Sequence, residues 1–323
     1  METIISDKEL EQAGFYWRVA DGIRALICAP LELDGFANGF STRVGGTSPM
    51  PENALNLAGF NEDTAENILE NRRRFLKLFA GEWALAGCWQ VHGSDVRLIK
   101  TRVDAKPAED ARGDTIYCDA IVSNAPGVLA GVKTADCVPI LIGDPKTGSF
   151  AAVHAGWRGT LAEVATKALG RMVDEYKTQP QDVSVAIGPA AGSCCYEVGA
   201  DVIGAFRDSF PGQDQLFTEI RVRERSGNGQ KSAMQLSNTG TVLSEQGPPA
   251  HAGGSDIRED HACIDLLQAN RRQLVSAGVD PDRINIAPLC TMCRTDLFFS
   301  YRREKNVFGK VGRLMSVIGR TGR

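Results

Sequence analysis

Two apolar segments of the chain flank a turn signal, and together they predict a β-hairpin. Val138–Ile142 and Phe150–Val153 are strongly apolar, and the residues between them include Asp, Pro and Gly around positions 145–146. These residue types favour tight turns. Folding the hairpin about this centre places Cys137 opposite His154, within one residue. A thiol and an imidazole at that separation can share one metal ion.

A helical pattern follows the hairpin. Thr160 and Glu163 have the spacing of a capping box, which predicts a helix that begins there. Arg158 stands between two glycines just before this start, where free N–H groups favour an anion, so it is a candidate phosphate ligand. Apolar residues then recur with the spacing of one helix face: Leu161, Val164, Ala165, Ala168, Leu169, Met172, Val173 and Tyr176.

Other elements follow from shorter patterns. Helices are predicted at about residues 64–80, beginning with the capping sequence Asp63–Glu66, and at about 263–277. Cys88–Gly93 is predicted to be a strand that ends in a glycine turn and carries His92. Apolar runs predict further strands at Phe15–Val19, Ile23–Cys28, Asp119–Ser123, Val128–Val132, Ser184–Ile187 and Ile284–Ala287.

Composition and charge exclude several classes of function. The 323 residues are 43% hydrophobic and 24% charged, as in globular proteins. A net charge of −4 gives no electrostatic basis for binding nucleic acid. We find no apolar run of about 18 residues that would span a membrane, and no signal peptide. Nine cysteines, an odd number, without an export signal predict reduced thiols in the cytoplasm.

Several polar residues have two interpretations. Arg43 lies in the small, polar, Gly-rich segment Ser41–Ser48, which is typical of a surface turn and also fits a backbone-lined anion pocket. Asp136 precedes Cys137, where it can orient a metal ligand or cap a helix, and the sequence leaves these alternatives even. Lys133 comes shortly before both residues, and its side chain is a candidate for contacting a substrate.

The remaining cysteines are interpreted in two pairs. Adjacent Cys194 and Cys195 cannot bridge each other without backbone strain, and we interpret them as packing or pocket-lining thiols. Cys290 and Cys293 have the spacing of a zinc knuckle. No second cysteine pair or histidine lies near them in the sequence, and a single C-x-x-C is a weak signal.

Taken together, these segments are similar to the laccase-domain (multicopper polyphenol oxidoreductase, YfiH-like) family. The resemblance covers roughly residues 35–320, and the run His154–Gly159 is its most specific motif. The matching segments are Ser41–Ser48, Asn56–Leu57, Glu66–Asn67, Asn71–Arg72, Gln90–Gly93, Asp119–Val122, Thr134–Pro139, His154–Gly159, Gly188–Pro189, Cys195–Val198, Asp265–Leu266 and Phe299–Arg302.

The resemblance implies the fold. It is a four-layer α/β/β/α sandwich of the mixed α+β class, in a single domain over residues 1–323. The chain departs from the family pattern at about residues 222–258. That stretch belongs to a Gly-, Ser-, Gln- and Pro-rich region, so we predict a flexible surface insertion. His251 and His261 lie in or beside it and are not predicted as metal ligands.

The resemblance also implies one zinc ion, held by His92, Cys137 and His154. Copper is an adventitious or alternative metal, because imidazole and thiolate bind both ions. Three protein ligands leave one position open, as in catalytic zinc sites, where bound water becomes acidic. The implied activity is phosphorolysis of adenosine, inosine, guanosine and methylthioadenosine to base and ribose-1-phosphate, with adenosine deamination. The implied partners are purine nucleosides and phosphate, and the protein is a monomer or a homodimer.

The other candidate residues are assigned by charge and position. The three metal ligands and Asp136 are the candidate catalytic residues, and no general acid or base is assigned. The candidates for holding phosphate are Arg43, Arg158 and Arg302. The candidates for contacting the nucleoside or moving a proton are Gln90, Lys133 and Asp136. Asn56 completes the set of binding candidates, which are Arg43, Asn56, Gln90, Lys133, Arg158 and Arg302.

Three other functions remain open. Cys137 beside His154 also fits a thiol hydrolase, as in members of the family that edit peptidoglycan precursors; zinc on the thiolate would weaken that nucleophile. Copper-dependent polyphenol oxidation is a second alternative, although four histidines are too few for a multicopper enzyme. A binding module with structural zinc is a third, and it requires a fourth ligand that we do not find.

Overall fold

Two six-stranded β-sheets with helices on their outer faces form most of the computed structural model. The structure describes residues 5–50, 52–59, 62–106, 116–212, 214–219 and 261–321. Its α-helices are α1 (Asp7–Gln12), α2 (Ala29–Leu33), α3 (Ala65–Leu76), α4 (Trp157–Leu161), α5 (Val164–Tyr176), α6 (Ala200–Ser209), α7 (Leu266–Ser276) and α8 (Tyr301–Phe308). Its strands are β1 (Phe15–Ala20), β2 (Ile23–Cys28), β3 (Ala37–Ser41), β4 (Val44–Ser48), β5 (Ala84–Ala86), β6 (Val96–Ile99), β7 (Ala120–Ser123), β8 (Val128–Thr134), β9 (Val138–Gly143), β10 (Phe150–Ala155), β11 (Ser184–Ile187), β12 (Glu197–Gly199), β13 (Phe217–Glu219), β14 (His261–Ile264), β15 (Ile284–Ile286) and β16 (Leu314–Gly319).

The two large sheets are mixed but mainly antiparallel. The first has the strand order β1-β2-β3-β16-β8-β5, and the second has the order β15-β11-β9-β10-β7-β6. A small third sheet has the order β12-β14-β13. The parallel pairs lie near the sheet edges, between β5 and β8, β6 and β7, and β11 and β15.

Neighbouring residues of each strand face opposite sides of the sheet, and this alternation defines four layers. On β9, Ile140 packs with the helices α5 and α7, whereas its neighbour Leu141 packs into the core between the sheets. The inner core joins Leu141 to Phe40 of the first sheet, whose outer face packs against Phe75 of α3. Successive strand residues point to opposite faces, so each strand of the inner layers serves two cores. The α/β/β/α sandwich implied by the resemblance is confirmed.

The predicted hairpin is present, but its register differs from the prediction by two residues. β9 and β10 pair antiparallel, with Gly143 opposite Phe150 and Pro139 opposite His154. The turn extends further than expected because Asp144 accepts the N–H of Lys146 at 2.8 Å and the side chain of Thr147 at 2.7 Å. His154 is therefore opposite Pro139, and Cys137 lies diagonally from it just before β9.

The helix after the hairpin does not begin with the predicted capping box. α4 begins earlier, with Gly156 as its N-cap, and Thr160 lies inside it. Glu163 adopts a left-handed backbone conformation with φ of 58°, which ends the first helix and begins α5. The Thr160 hydroxyl instead accepts a hydrogen bond from Asn270 of α7 at 3.0 Å.

Two further elements differ from prediction in detail. Residues 88–93 form no regular strand; an isolated bridge joins Trp89 to Tyr117. The helix predicted at 64–80 is α3, and Thr64, one residue after the predicted start, caps it by accepting the N–H of Asn67.

The other predicted strands, at β1, β2, β7, β8, β11 and β15, are present within a few residues of the expected bounds. The predicted insertion at 222–258 and His251 lie outside the described residues, so the single-domain organisation stays a prediction. Within the described part of the chain, every helix is too short or too polar to cross a membrane.

Candidate metal centre

Three side chains from separate parts of the chain converge at one end of the second sheet. His92 comes from the loop before β6, Cys137 from the turn before β9, and His154 from the end of β10. Each residue offers one ligand atom, a ring nitrogen or the sulfur, and these three atoms all lie within 4.8 Å of one another. The imidazole rings of His92 and His154 are 5.0 Å apart, at 73° to each other.

Local backbone geometry makes this convergence possible. His92 and Asp136 both have left-handed backbones, with φ of 59° and 91°, a region that residues other than glycine seldom adopt. Gly156 passes directly behind the ligands: a Cβ at this position would lie 3.0 Å from His92 Cδ2 and 3.2 Å from Cys137 Sγ. Two constrained turns and a glycine therefore bring the three ligands together.

A buried carboxylate organises two of the three ligands. Asp119 Oδ1 lies 2.8 Å from His154 Nδ1 and accepts the backbone N–H of His92 at 3.0 Å. Its other oxygen accepts the N–H groups of Gly93 at 2.7 Å and Val91 at 3.2 Å. Pairing Nδ1 of His154 with a carboxylate leaves Nε2 as the metal-binding atom, the usual outer-shell arrangement of metal centres.

The same contacts shift the pKa values of Cys137 and His154. Burial opposes ionisation of Cys137, but His154 and His92 outweigh it and lower the pKa of the thiol to about 6. Burial also disfavours the charged form of His154, yet Cys137 and Asp119 raise the pKa of this imidazole to about 9. At neutral pH these values give a thiolate beside an imidazolium, and metal binding would release the imidazolium proton.

The donor set fits a transition-metal ion. His154 is buried, Cys137 is half-buried and His92 is exposed, so the centre is closed on the sheet side and accessible from the His92 side. Two imidazoles and one thiolate suit zinc or copper, and three protein ligands leave a coordination position for a substrate or water.

A half-buried tyrosine, Tyr196, connects the centre to two of the predicted arginines. Burial raises the pKa of Tyr196, and the charges of Cys137 and Asp136 raise it further, while Arg302 and Arg158 lower it. All four charged groups therefore act on one phenol. The Arg302 guanidinium lies 5.3 Å from the Tyr196 ring centre, and both arginines are solvent-exposed.

The sequence allows two roles for Asp136, orienting a metal ligand or capping a helix, and its contacts fit helix capping. One oxygen accepts the hydroxyl of Thr291 at 2.7 Å. The other accepts the Ser300 hydroxyl at 3.0 Å and the backbone N–H of Arg302 at 2.8 Å, at the start of α8. The carboxylate that orients a metal ligand is Asp119.

Gln90 and Lys133 are joined through the backbone. The Gln90 side chain accepts the Lys133 N–H at 2.8 Å and donates to the Lys133 carbonyl at 2.6 Å. This pair of hydrogen bonds attaches the His92 loop to the end of β8. It gives Gln90 a positioning role in the free protein, and the Lys133 side chain is half-buried.

Arg43 and Asn56 make internal contacts instead of lining the metal centre. Arg43 is buried and pairs with Glu304 at 2.7 Å, so its charge is neutralised inside the protein. It borders a cleft of about 1060 Å³ whose lining contains none of the three ligands. Asn56 is fully buried and accepts the backbone N–H groups of Ala58 at 3.1 Å and Arg313 at 2.9 Å.

Sequence reasoning missed Asp119 and Tyr196 as site residues. Asp119 is predicted as the start of a strand and as part of a segment that matches the family, without a role, although a carboxylate directly before the apolar residues of a buried strand indicates a buried, paired acid. Tyr196 carries no such signal, because its position depends on how the 190–198 segment packs against the turn at Cys137.

An α/β/β/α sandwich with a two-histidine, one-cysteine centre at a sheet end is the class of protein that these observations define. Residues 37–247 and 241–321 match the family model described as multi-copper polyphenol oxidoreductase laccase. The chain belongs to this family.

Relatives match nearly the whole chain. It is 32% identical over 302 residues to a protein of Geobacillus stearothermophilus named purine nucleoside phosphorylase YlmD, covering 91% of this chain and 94% of the relative. It is 31% identical to Escherichia coli purine nucleoside phosphorylase YfiH, over 88% of this chain and 93% of that one. The crystal structure of Geobacillus YlmD aligns with a TM-score of 0.73 and 30% identity, covering 94% of this chain and 98% of that one.

Proposed function

We propose that this protein cleaves purine nucleosides with phosphate, releasing the base and ribose-1-phosphate, and that His92, Cys137 and His154 hold one zinc ion for this reaction. The observation that carries the proposal is the three-ligand centre, accessible from the His92 side, with two exposed arginines acting on the neighbouring Tyr196. The names of the relatives, purine nucleoside phosphorylases, support it.

Different residues around the centre would bind the phosphate and the nucleoside. Arg158 and Arg302 supply positive charge for phosphate, since guanidinium groups form strong charge-assisted hydrogen bonds with its oxygens. Tyr196 offers an aromatic face beside Arg302 for the nucleoside. Asp119 holds His154 in one orientation, which leaves Nε2 as the atom that would bind the ion.

Zinc held by His92, Cys137 and His154 would supply a Lewis acid, which would stabilise negative charge on a departing purine and make bound water more acidic. For this reason the proposal includes deamination of adenosine at the same centre. We propose adenosine, inosine and guanosine as substrates, together with methylthioadenosine, whose sugar product would be 5-methylthioribose-1-phosphate. Polyphenol oxidation by several copper ions is not proposed, since the chain has only four histidines and two of them belong to this single centre.

The test is turnover of inosine and adenosine by zinc-loaded protein, with and without phosphate. Wild type should form ribose-1-phosphate only when phosphate is present, and inosine from adenosine in either case. His92→Ala and Cys137→Ala should lose both activities together with the metal of this centre. Cys263→Ser, outside the centre, is the matched control. Nucleoside cleavage by metal-free protein, or cleavage that does not consume phosphate, would contradict the proposal.

Arg158→Ala and Arg302→Ala test the phosphate assignment. Each should raise the KM for phosphate about tenfold or more, because a hydrogen bond to a charged group contributes about 1.5–3 kcal/mol. Metal content should not change. Arg43→Lys is the control, since Arg43 already pairs with Glu304; if this variant alone raised the KM for phosphate, the assignment would move to Arg43.

A thiol hydrolase is the second candidate function, because Cys137 lies beside two imidazoles that favour its thiolate. Zinc separates the two candidates, as a metal-bound thiolate is a poor nucleophile. Under the proposed function, Cys137 should react slowly with iodoacetamide in zinc-loaded protein and rapidly after chelation. Rapid alkylation of zinc-loaded protein, with amide hydrolysis that alkylation abolishes, would favour the hydrolase.

A further inference from the structure

A second group of metal-binding side chains lies outside the candidate metal centre. The Sγ atoms of Cys194, Cys195, Cys290 and Cys293 all lie within 4.8 Å of one another. Both pairs were interpreted separately from the sequence, the first as packing thiols and the second as an isolated C-x-x-C. The structure corrects this interpretation, because the two pairs lie together and each supplies the second pair of thiols that a zinc site with the other would need.

A tight turn directs the two adjacent cysteines to the same side. In an extended chain Cys194 and Cys195 would point to opposite faces. Here the N–H groups of Cys195 and Tyr196 both donate to the Gly192 carbonyl, each at 2.9 Å, and the backbone curls around it. As a result Cys293 Sγ lies 3.5 Å from the Sγ of Cys194 and 3.3 Å from that of Cys195.

Backbone hydrogen bonds hold the C-x-x-C turn against the first turn. The Thr291 N–H donates to the Ala190 carbonyl at 2.9 Å, and the Arg294 N–H donates to the Cys290 carbonyl at 3.1 Å. The Gly192 N–H points at Cys290 Sγ, 3.2 Å away. An N–H group directed at sulfur is the kind of outer contact that stabilises a metal-bound thiolate.

The arrangement of sulfurs suits one metal ion better than a disulfide. A disulfide joins two sulfurs at about 2.05 Å, so Cys293 could satisfy only one of its two near neighbours. A tetrahedral zinc ion with Zn–S bonds of about 2.3 Å places all four sulfurs about 3.8 Å apart. The observed separations of Cys293 from both neighbours are close to this value.

We propose that Cys194, Cys195, Cys290 and Cys293 form a second zinc site, with four thiolate ligands and a structural role. Four protein ligands close the coordination sphere, so this ion would not act on a substrate. It would join two turns that reach the catalytic region. Thr291 of one turn bonds Asp136, the neighbour of Cys137, and Tyr196 follows Cys195 in the other.

The test is the zinc content of full-length protein purified with Zn²⁺ and reductant. Wild type should hold two zinc ions per chain. His92→Ala should hold one, and its zinc X-ray absorption should show four sulfur neighbours at about 2.3 Å. The double variant Cys290→Ser with Cys293→Ser should also hold one, with nitrogen and sulfur neighbours. Cys263→Ser is the matched cysteine control and should hold two.

The proposal does not depend on the serine variant folding. The absorption spectrum of His92→Ala measures an intact four-cysteine cluster, whatever happens to the double variant. The proposal is overturned if His92→Ala binds less than about a tenth of an equivalent of Zn²⁺, if its zinc has mixed nitrogen and sulfur neighbours, or if mass spectrometry of the protein as purified, without further reduction, finds a Cys195–Cys293 disulfide instead. None of these outcomes bears on nucleoside cleavage, which is measured separately.

Discussion

The three-ligand centre and the four-cysteine cluster have opposite designs. The first takes its ligands from the ends of buried sheet strands and from one loop, with the carboxylate of Asp119 behind them. The second takes its ligands from two surface turns, with the backbone N–H of Gly192 as an outer contact to Cys290. The three-ligand centre is accessible from the His92 side, whereas the four-cysteine cluster has all four ligands of a tetrahedral site. Ligand number and access thus separate a centre suited to chemistry from one suited to holding loops.

One carboxylate connects the two regions. Asp136 precedes the ligand Cys137, accepts a hydrogen bond from Thr291 of the C-x-x-C turn, and caps α8 through Ser300. The C-x-x-C turn and the N-terminus of α8 therefore share one hydrogen-bond acceptor, which adjoins Cys137.

Metal removal should produce the largest difference. A chelator should take zinc first from the accessible three-ligand centre, and phosphorolysis should fall at least about 10³-fold, because metal catalysis contributes several kcal/mol. The four-cysteine cluster should release zinc later, with a drop in the unfolding temperature. Zinc release, ribose-1-phosphate formation and thermal unfolding, followed in parallel, measure both steps.

The order of these losses is the decisive result. If the unfolding temperature falls before activity, or if activity survives release of the first equivalent, the assignment of a catalytic and a structural region is reversed or wrong. Adding Zn²⁺ back should restore activity in protein that has lost only the first equivalent.

Asp119→Asn should have the next largest effect. The amide cannot balance the His154 imidazole as a carboxylate does, and loss of such an outer partner typically lowers metal affinity about 10–100-fold. Competition with a zinc indicator gives the affinity of the three-ligand centre. The four-cysteine cluster should bind zinc as in wild type.

Asp136→Asn is the matched control. It removes a charged acceptor from Thr291, Ser300 and the Arg302 N–H, so we expect a loss of about 1–3 kcal/mol in unfolding free energy. Zinc affinity at His92, Cys137 and His154 should stay within about threefold of wild type. A larger loss of affinity than in Asp119→Asn would exchange the roles of the two carboxylates.

Periodicity predicts eight of the sixteen strands in the described part of the chain, whereas the set of three metal ligands is what the family resemblance implies. Apolar runs such as Val138–Ile142 must lie between two layers, so the strands follow from burial. The hairpin register was wrong by two residues because Asp144 side-chain hydrogen bonds lengthen the turn. The predicted cap at Thr160 was wrong because Glu163 adopts a left-handed conformation, which residue type does not reveal.

The four-cysteine cluster could not be predicted for a different reason. Cys195 and Cys293 are 98 positions apart, and spacing rules for zinc ligands compare only near neighbours in sequence. Their contact depends on the curl at Gly192 and on the bridge between Ala190 and Cys290, which are features of tertiary packing. Asp119 is intermediate, since its burial could be predicted but its partners could not.

The smallest predicted effect comes from adding one methyl group to each region. Gly156 has φ of −72°, which alanine adopts without strain, so Gly156→Ala acts only by filling space. Its Cβ would lie 3.0 Å from the His92 ring and 3.2 Å from Cys137 Sγ, closer than normal contact. Overpacking costs about 1–3 kcal/mol, so zinc affinity of the three-ligand centre should fall about tenfold.

Gly192→Ala is the counterpart in the four-cysteine cluster. Its Cβ would lie 3.4 Å from Cys194 Sγ and 3.6 Å from Cys290 Sγ, an ordinary contact distance, so the cluster should keep its zinc with affinity within about threefold of wild type. Competition titrations of both variants measure the contrast. An equal loss in both would show that the three-ligand centre is no more tightly packed around its ligands than the surface turns. We expect the smaller loss of zinc affinity for Gly192→Ala because its Cβ has room beside the cysteine sulfurs. The Cβ of Gly156→Ala would instead press against the sulfur and the imidazole that must bind one ion.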